Sequence, residues 1–558
     1  MRKLMWFSLG FALACLLAVY LLSEAALAPA ALGAALLWGA GALLLRLRGP
    51  GSGRLKRLLG KAAGRRSACA LLGLSMGLLW SWGYEALVLA PARSLCGQQE
   101  QLSAELCAYP VDLSTGQRVD AWVGSGLNRV RVRFYLYGSR TELRPGDRIC
   151  GSFRLSRADR DSAGAPDYDL QAKGIVLKAS GTLKQAEDGG DPLRYAPARL
   201  SRRIFDRLGE LIPADAAGLP QAMLTGDRRG LSDALRADLS AAGASHVVAV
   251  SGLHVTMLMS VLVLLVGAGG KLTALLGLPL LTLFVLMTGA SPSVIRAALM
   301  LGLLLLAPLL GEENDPPSSL ALAGLLILLG NPRAVANLSF QLSFAAVAGL
   351  LLVTPRLLAA FRAAPWVKRV ETRQGNPNLP LALNALWVRA PRAFLRFLCA
   401  GTAATLGALC FSAPISALCF GSLPVYAVLT NLAVLPLATL CLEGALLVLG
   451  VGLISDAAGA FLGRLLALPV RGIAGVCRLV SRLPGCSLWM DAYGVAFLLF
   501  AGLVLLLTLL LRESRLRRPL PVLLGALLLA VGLQELESSS RRFSFARNHH
   551  FAGLQRHS

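Results

Sequence analysis

Apolar residues run in blocks of about twenty along most of the chain. That is the length a helix needs to cross a hydrocarbon core of about 30 Å. The runs cover 4–22, 30–45, 67–90, 247–266, 271–290, 294–310, 318–330, 338–353, 399–420, 424–449 and 491–511, with a less regular segment at 457–475 and a last one at 519–533. Between 91 and 190 the pattern changes: Gly turns separate short alternating runs such as Arg129-Val130-Arg131-Val132-Arg133-Phe134-Tyr135-Leu136-Tyr137. A period of two predicts a half-exposed strand with Arg129, Arg131 and Arg133 on one face. Leu143-Arg144-Pro145-Gly146-Asp147-Arg148-Ile149 reads as a turn into another strand. From 191 to 245 the chain is amphipathic: Ser232 is an expected N-cap, Leu235 and Leu239 share a side, and Gly243 is a stop. Such a helix suits a membrane surface. The expected fold is a polytopic α-helical membrane protein with an inserted β-rich domain. Its parts are N-terminal helices (1–90), the β-rich insert (91–190), an amphipathic connector (191–245), a helical bundle (246–533) and a tail (534–558).

Composition supports that reading. With 55% hydrophobic and 15% charged residues and a mean hydropathy of +0.62, the chain lies outside the soluble globular range. The net charge of +24 does not by itself indicate nucleic acid, because membrane proteins gather Lys and Arg in cytoplasmic loops. The first thirty residues imitate a secretory signal, but a second apolar run follows almost at once and favours a retained hairpin. Residues 46–66 carry eight basic side chains and no acid. The positive-inside rule therefore puts this loop and the N-terminus in the cytoplasm and residues 91–245 outside. Between Cys96 and Asp188 thirteen Lys and Arg face twelve Asp and Glu, so any attraction for an anion there depends on a local stripe. The stretch 354–398 is basic against a single Glu371 and is expected on the cytoplasmic side, where anionic lipid is its first partner.

Polar groups at membrane depth are costly and mark sites. His246-Val247-Val248-Ala249-Val250-Ser251-Gly252-Leu253-His254 opens a membrane-length run. If helical throughout, it would bring His246 and His254 within about 80° of one face, whereas Ser251-Gly252 is the kind of pair that kinks a helix. A broken helix lining a cavity is expected, since irregular backbone survives in a bilayer only where protein or water satisfies it. Other polar candidates are Asp227 and Arg229 in a turn, Arg296 at the head of a run, Gln341 and Ser343 inside one, Asn431 and Glu443. The Asp227–Arg229 stretch has a plainer reading as a turn, Arg296 as a snorkelling side chain, and Gln341 and Ser343 as helix-to-helix hydrogen bonds, while Asn431 fits a discontinuous helix and Glu443 is the lone acid of its run. Cys96, Cys107 and Cys150 share the inserted domain and permit one disulfide with a thiol left over.

Several stretches together resemble the ComEC-type competence membrane proteins, which pass single-stranded DNA through the inner membrane during natural transformation. They are the His246–His254 segment, Leu224-Thr225-Gly226-Asp227-Arg228-Arg229-Gly230-Leu231-Ser232, and Thr288-Gly289-Ala290-Ser291-Pro292-Ser293-Val294-Ile295-Arg296-Ala297. Asn331-Pro332 with Ser339-Phe340-Gln341-Leu342-Ser343-Phe344, and Asn431-Leu432-Ala433-Val434-Leu435-Pro436, complete the set. The resemblance implies a multi-pass protein of the bacterial inner membrane. Its DNA pathway would draw on His246, Ser251, Gly252, His254, Asp227, Arg229, Arg296, Gln341, Ser343, Asn431 and Glu443. It also implies an OB-fold-like extracytoplasmic domain. OB-folds bind single strands with a basic groove and stacked aromatics, roles that Arg129, Arg131, Arg133, Phe134, Tyr135 and Tyr137 suit.

Many family members continue into a metallo-β-lactamase-like domain. The five histidines of this chain, His246, His254, His549, His550 and His557, do not make its metal cluster, so no nuclease activity, metal or cofactor is expected. Nor is there a GxxxxGK[ST] loop. The implied partners are single-stranded DNA, membrane lipid, a periplasmic or surface DNA receptor, a separate nuclease and a cytoplasmic ATP-driven motor, with a homo-oligomer allowed. Two rival readings stand beside this one. The first is an intramembrane metal-dependent hydrolase using His246, His254 and Asp227, whose spacing is not HExxH. The second is a small-molecule transporter on the same fold.

Overall fold

A computed structural model describes residues 3–47, 62–124, 129–138, 142–160, 167–190, 192–267, 271–372 and 381–490. The runs expected at 491–511 and 519–533, the tail, and most of the basic loop at 46–66 lie outside the described residues.

The apolar runs within the described residues fold as helices. At the N-terminal end come α1 (Lys3–Tyr20), α2 (Glu24–Leu47) and α3 (Ala62–Tyr84). Helices α1 and α3 pack backbone to backbone: a methyl group at Gly10 would fall 1.9 Å from Ala70 O, and one at Gly73 would fall 1.9 Å from Phe7 O. In lipid, where burial of apolar surface drives little association, such close approach of small residues holds helices together.

Helix α3 runs into a π-helical turn, Glu85–Leu89, and a short helix, Ala90–Ser94. The π turn adds a residue to the ladder, and Glu85 is left only 7% exposed. Six charges meet around it. Arg333 binds Glu85 at 2.6 Å and Arg93 also binds Glu85. Arg93 reaches Glu24 at 2.7 Å and Asp159 at 3.3 Å, and Arg157 holds Asp159 at 2.7 Å. Three acids thus answer three arginines. Burial by itself would raise the Asp159 carboxyl, but the Arg157 hydrogen bond and the Arg93 charge leave it below its ordinary range.

The inserted domain is a six-stranded sheet: β1 (Gln99–Leu106), β2 (Val111–Leu113), β3 (Gly116–Val123), β4 (Val130–Tyr137), β5 (Arg148–Arg157) and β6 (Ile175–Glu187). The order is β1-β5-β6-β4-β3-β2, and β1 also pairs with β3. Five strands therefore form a closed circuit, β1-β5-β6-β4-β3-β1, in which only β4 and β6 are parallel. Closing a sheet removes exposed edges. The alternation in β4 sends Val132, Phe134 and Leu136 to the core, where the Phe134 and Phe153 rings meet edge to face at 4.9 Å.

The connector and bundle follow as α4 (Ala196–Leu211), α5 (Ala214–Thr225), α6 (Asp233–Ala241), α7 (Gly252–Val266), α8 (Lys271–Met287), α9 (Pro292–Leu310), α10 (Pro316–Gly330) and α11 (Leu338–Leu352). Then come α12 (Thr354–Ala363), α13 (Pro365–Glu371), α14 (Leu381–Phe420), β7 (Ser422–Pro424), α15 (Ala427–Gly452), α16 (Asp456–Ser481) and β8 (Ser487–Trp489). Among the described residues six helices are long and apolar enough to cross a membrane. The amphipathic character expected of the connector is strongest in α4, where Leu208 and Leu211 are buried and Arg203 is exposed.

The chain divides into two compact units. Residues 1–233, 246–344 and 435–473 form the first, which holds the sheet and most of the polar motifs. Residues 234–245, 345–434 and 474–558 form the second. In that unit a methyl group at Gly349 would fall 2.0 Å from Gly407 O, Thr354 Oγ1 donates to Ala403 O at 3.2 Å, and β7 pairs antiparallel with β8.

Candidate functional site

The His246–His254 stretch is not one helix. Ser245–Val247 makes a 3-10 turn, residues 248–251 are non-helical, and α7 starts at Gly252 after an extended Ser251 (φ −140°, ψ 179°). The expected break exists, but the shared helical face of His246 and His254 does not. His254 is fully buried and closes a capping box with Ser251. Ser251 N donates to His254 Nδ1 at 3.1 Å, and His254 Nε2 lies 3.0 Å from Val247 O. With Nδ1 accepting, the network assigns a neutral ring whose Nε2–H donates to the carbonyl. The imidazole takes the place Glu or Gln usually fills at this helical position, and it ties both ends of the break together.

At Gly252 the backbone is approached by an arginine from α9. A methyl group there would lie 2.9 Å from Arg296 Nη2, so glycine leaves room for the guanidinium. Arg296 is 7% exposed; its Nε donates to Ser343 Oγ at 2.9 Å, and Nη1 approaches Met300 Sδ at 3.6 Å. Ser343 Oγ is also 2.9 Å from Ser293 Oγ. Among the described residues no carboxylate lies within ion-pair distance of Arg296.

The turn from α8 to α9 bends through Gly289 (φ +80°) and Ala290 (φ +52°), a left-handed conformation that is costly for alanine. Beside this turn, Gly226 (φ +78°) lies so that an added methyl would sit 3.4 Å from Thr288 O and from Val250 Cγ2. Four separate sequence stretches thus converge on one region of the first unit.

Sequence reasoning passed over Ser293, Thr256 and Ser260. Thr256 and Ser260, one turn apart on α7, are exposed, and Ser260 Oγ donates to Glu443 Oε1 of α15 at 2.9 Å. The legible signal was the i, i+4 spacing of Gly252, Thr256 and Ser260 in an otherwise apolar run.

Asp227 and Arg229 sit apart from this cluster. Arg229 clamps Asp227 through Nε (3.0 and 2.9 Å) and Nη2 (2.5 Å), and its backbone N–H donates to Asp227 Oδ1 at 3.0 Å. Burial pushes the Asp227 carboxyl up, but these bonds outweigh it and hold it below the usual range. Gln341 Nε2 donates to Val335 O at 2.9 Å and to Tyr20 Oη at 3.1 Å, a structural tie to α1. Asn331 Nδ2 donates to Gln171 O at 2.8 Å, holding the sheet domain. In the second unit, Asn431 has a buried Oδ1 without a partner among the described residues. His246 lies in the 3-10 turn and is exposed.

The expected DNA face of the sheet needs correction. Phe134 is fully buried, because an even position in β4 faces away from Arg131 and Arg133. The arginines are already paired: Arg133 makes two hydrogen bonds to Asp120 (2.7 and 3.1 Å), Arg131 reaches the same carboxylate at 3.2 Å, and Arg129 reaches Glu105 at 3.3 Å. Tyr135 and Tyr137 remain on that face, with Tyr137 49% exposed. Cys96, Cys107 and Cys150 are free thiols, so the bridge they permit is not formed; Cys107 Sγ donates to Asp120 O instead.

The metal-hydrolase reading meets a direct obstacle, since both ring nitrogens of His254 are engaged and Asp227 is clamped by Arg229. Among the described residues no three His, Cys, Asp or Glu side chains are grouped to hold a metal.

The family model for the competence protein matches residues 223–515. ComE operon protein 3 of Bacillus subtilis (strain 168) is 34% identical over 194 residues, which is 34% of this chain and 25% of that protein. The matched stretch thus spans about a quarter of the relative. No solved structure matches the chain. The family match begins at the Leu224–Ser232 stretch and takes in the capped break, Arg296 and Ser343, and it extends over more than half of the sequence: the chain belongs to the competence-protein family.

Proposed function

We propose that this protein is a channel component of the bacterial inner membrane that passes single-stranded DNA into the cytoplasm during natural transformation. The reading rests on the family and on one observation above all: Arg296, buried beside the backbone break at Gly252, is answered by the Ser343 hydroxyl, itself bonded to Ser293, and by a thioether, and by no acid among the described residues. A guanidinium kept at membrane depth without a counter-charge is costly, and a passing phosphodiester supplies the missing charge. Serine partners suit transit, because strong contacts at many phosphates would stall a strand. The exposed Thr256 and Ser260 of α7, with the half-buried Glu443 that Ser260 reaches from α15, continue a polar stripe, as a wet pathway needs.

In this reading residues 91–245 face the outside and the inserted domain is an OB-fold. The supporting feature is its five-strand circuit, in which the first strand pairs with the second and fourth, and the third runs parallel to the fifth. Energy, strand removal and DNA capture then fall to the separate motor, nuclease and receptor. The test is uptake of labelled DNA by cells carrying Arg296→Ala at normal membrane levels. An uptake rate equal to that of the parent would remove the pathway from this site.

A further inference from the structure

A cleft of about 170 Å³ opens in the first unit where the sheet domain meets the connector. One wall is the link from β1 to β2, with Tyr109; a second is the α4 face bearing Ser201, Arg202 and Phe205; the third is the Asp227–Arg229 turn. Two guanidinium groups flank one ring: Arg202 and Arg229 lie 5.6 and 5.8 Å from the Phe205 centroid. Arg202 gives its Nε–H to Asp206 at 3.1 Å, and its remaining donors make no other hydrogen bond among the described residues. Phe205 is held in place through its backbone, whose carbonyl accepts from Gln221 Nε2 at 2.8 Å. The volume is below the roughly 300–1,000 Å³ of pockets for drug-sized ligands, so the cleft takes no more than one nucleotide at a time.

We infer that this cleft is a stacking station for one nucleotide of the incoming single strand, with its base against Tyr109 and Phe205 and its phosphate on Arg202. The inference builds on the channel reading and adds an entry site to it. Aromatic faces with guanidinium planes bind bases without regard to sequence. Flanking arginines that already have carboxylate partners keep the attraction moderate, which a strand in motion requires. The cleft also explains why the clamped Asp227–Arg229 turn stands away from the Arg296 cluster: it fixes one wall of the station.

The test uses the full-length protein in phosphatidylcholine nanodiscs and a single-stranded oligonucleotide substituted with 5-iodouracil. Photo-crosslinks are expected at Tyr109 or Phe205. Phe205→Ala should weaken binding by about fivefold to a hundredfold, from about 1–3 kcal/mol of stacking per base, while Phe205→Trp keeps most of it and checks that the helix is intact. Arg202→Gln should lower the slope of log affinity against log salt by about one. Crosslinks confined to other surfaces, with both variants binding as the parent does, would overturn the cleft and leave the channel reading standing. No binding by the parent protein would also overturn it. So would a crosslink abolished by phosphatidylglycerol in the nanodisc, which would assign the cleft to a lipid headgroup. Uptake that is indifferent to Arg296→Ala, with the cleft crosslink intact, would strike the channel reading alone.

Discussion

Two largely buried arginines are treated in opposite ways. In the sheet domain Arg133 is wrapped against Asp120, and its neighbours Arg131 and Arg129 are paired as well. In the bundle Arg296 is at least as deeply buried and hydrogen-bonds one hydroxyl and one sulfur. Asp120 and Arg133 face each other across the β3–β4 register, and burial between paired strands makes a missing partner expensive. At Arg296 the fold leaves that cost standing. The contrast separates charges paired within the fold from one that has no acidic partner among the described residues, and each prediction below tests which kind a given charge is.

The largest effect is expected at the junction, where Arg333 and Glu85 are both about nine-tenths buried. Removing one partner of such a pair strands the other, at a cost of about 3–5 kcal/mol. Arg333→Ala or Glu85→Ala should therefore lower the thermal unfolding midpoint of the purified protein by many degrees. The double substitution should recover only part, since Glu85 also holds Arg93. A midpoint unchanged in either single variant would show that the network is ornamental.

Next comes Asp120→Asn, which leaves Arg131 and Arg133 without their shared anion and should destabilise the domain by about 1.5–3 kcal/mol. Burial pushes the Asp120 carboxyl up, but the hydrogen bonds and charges of Arg133 and Arg131 bring it net below its ordinary value. Its contribution is therefore fully present above the unfolded value of about 3.9 and is lost as the pH falls through the lower folded value. Acid titration of unfolding should show the parent losing stability below about pH 4, with a shallower loss in the Asn variant; equal slopes would remove the linkage.

Arg296→Ala should behave the other way round. Its lost hydrogen bond to Ser343 is worth about 1 kcal/mol of stability, partly offset by relief of an unpaired buried charge. Uptake of labelled DNA should fall by about tenfold to a hundredfold, equivalent to about 1.4–2.7 kcal/mol of pathway energy. Arg296→Lys should restore part of the uptake, because a point charge replaces the planar fork. A variant that loses several degrees of thermal stability while its folded fraction takes up DNA at the parent's rate would place Arg296 among the structural charges.

Much of this architecture was legible because a bilayer demands long apolar helices: the runs within the described residues became α1 to α3, α7 to α11 and α14 to α16, with α14 starting at Leu381, well before the expected run. The break before α7 was legible in Ser251-Gly252, but its form was not: residues 248–251 are non-helical, with Ser251 extended, so helical spacing does not carry across them. The exclusion of Phe134 from any DNA face was present in the period of two, since it alternates with Arg133. The pairing of Arg133 with Asp120 was not, because it depends on a strand register. Closure of the sheet through β1 and β3 is likewise a long-range contact with no local signature. The motif residues Arg296 and Ser343 stand 47 positions apart, and only a side-chain contact between α9 and α11 joins them.

The smallest predicted effect decides what the histidine at the centre of the best-marked motif does. In the structure His254 is a cap, so His254→Ala should cost about 0.5–2 kcal/mol, the range for losing a helix N-terminal capping interaction. His254→Gln should restore part of that, because glutamine at this position reaches back to the Ser251 N–H, though it loses the bond to Val247. Uptake should follow stability, falling in Ala and recovering in Gln, since the side chain acts through the shape of the break. The opposite pattern, with both variants folding as the parent does and both failing to import DNA, would require the imidazole itself at the strand. His254 would then have to leave its capped position during transport, and the charge at Arg296 would have a second, mobile companion.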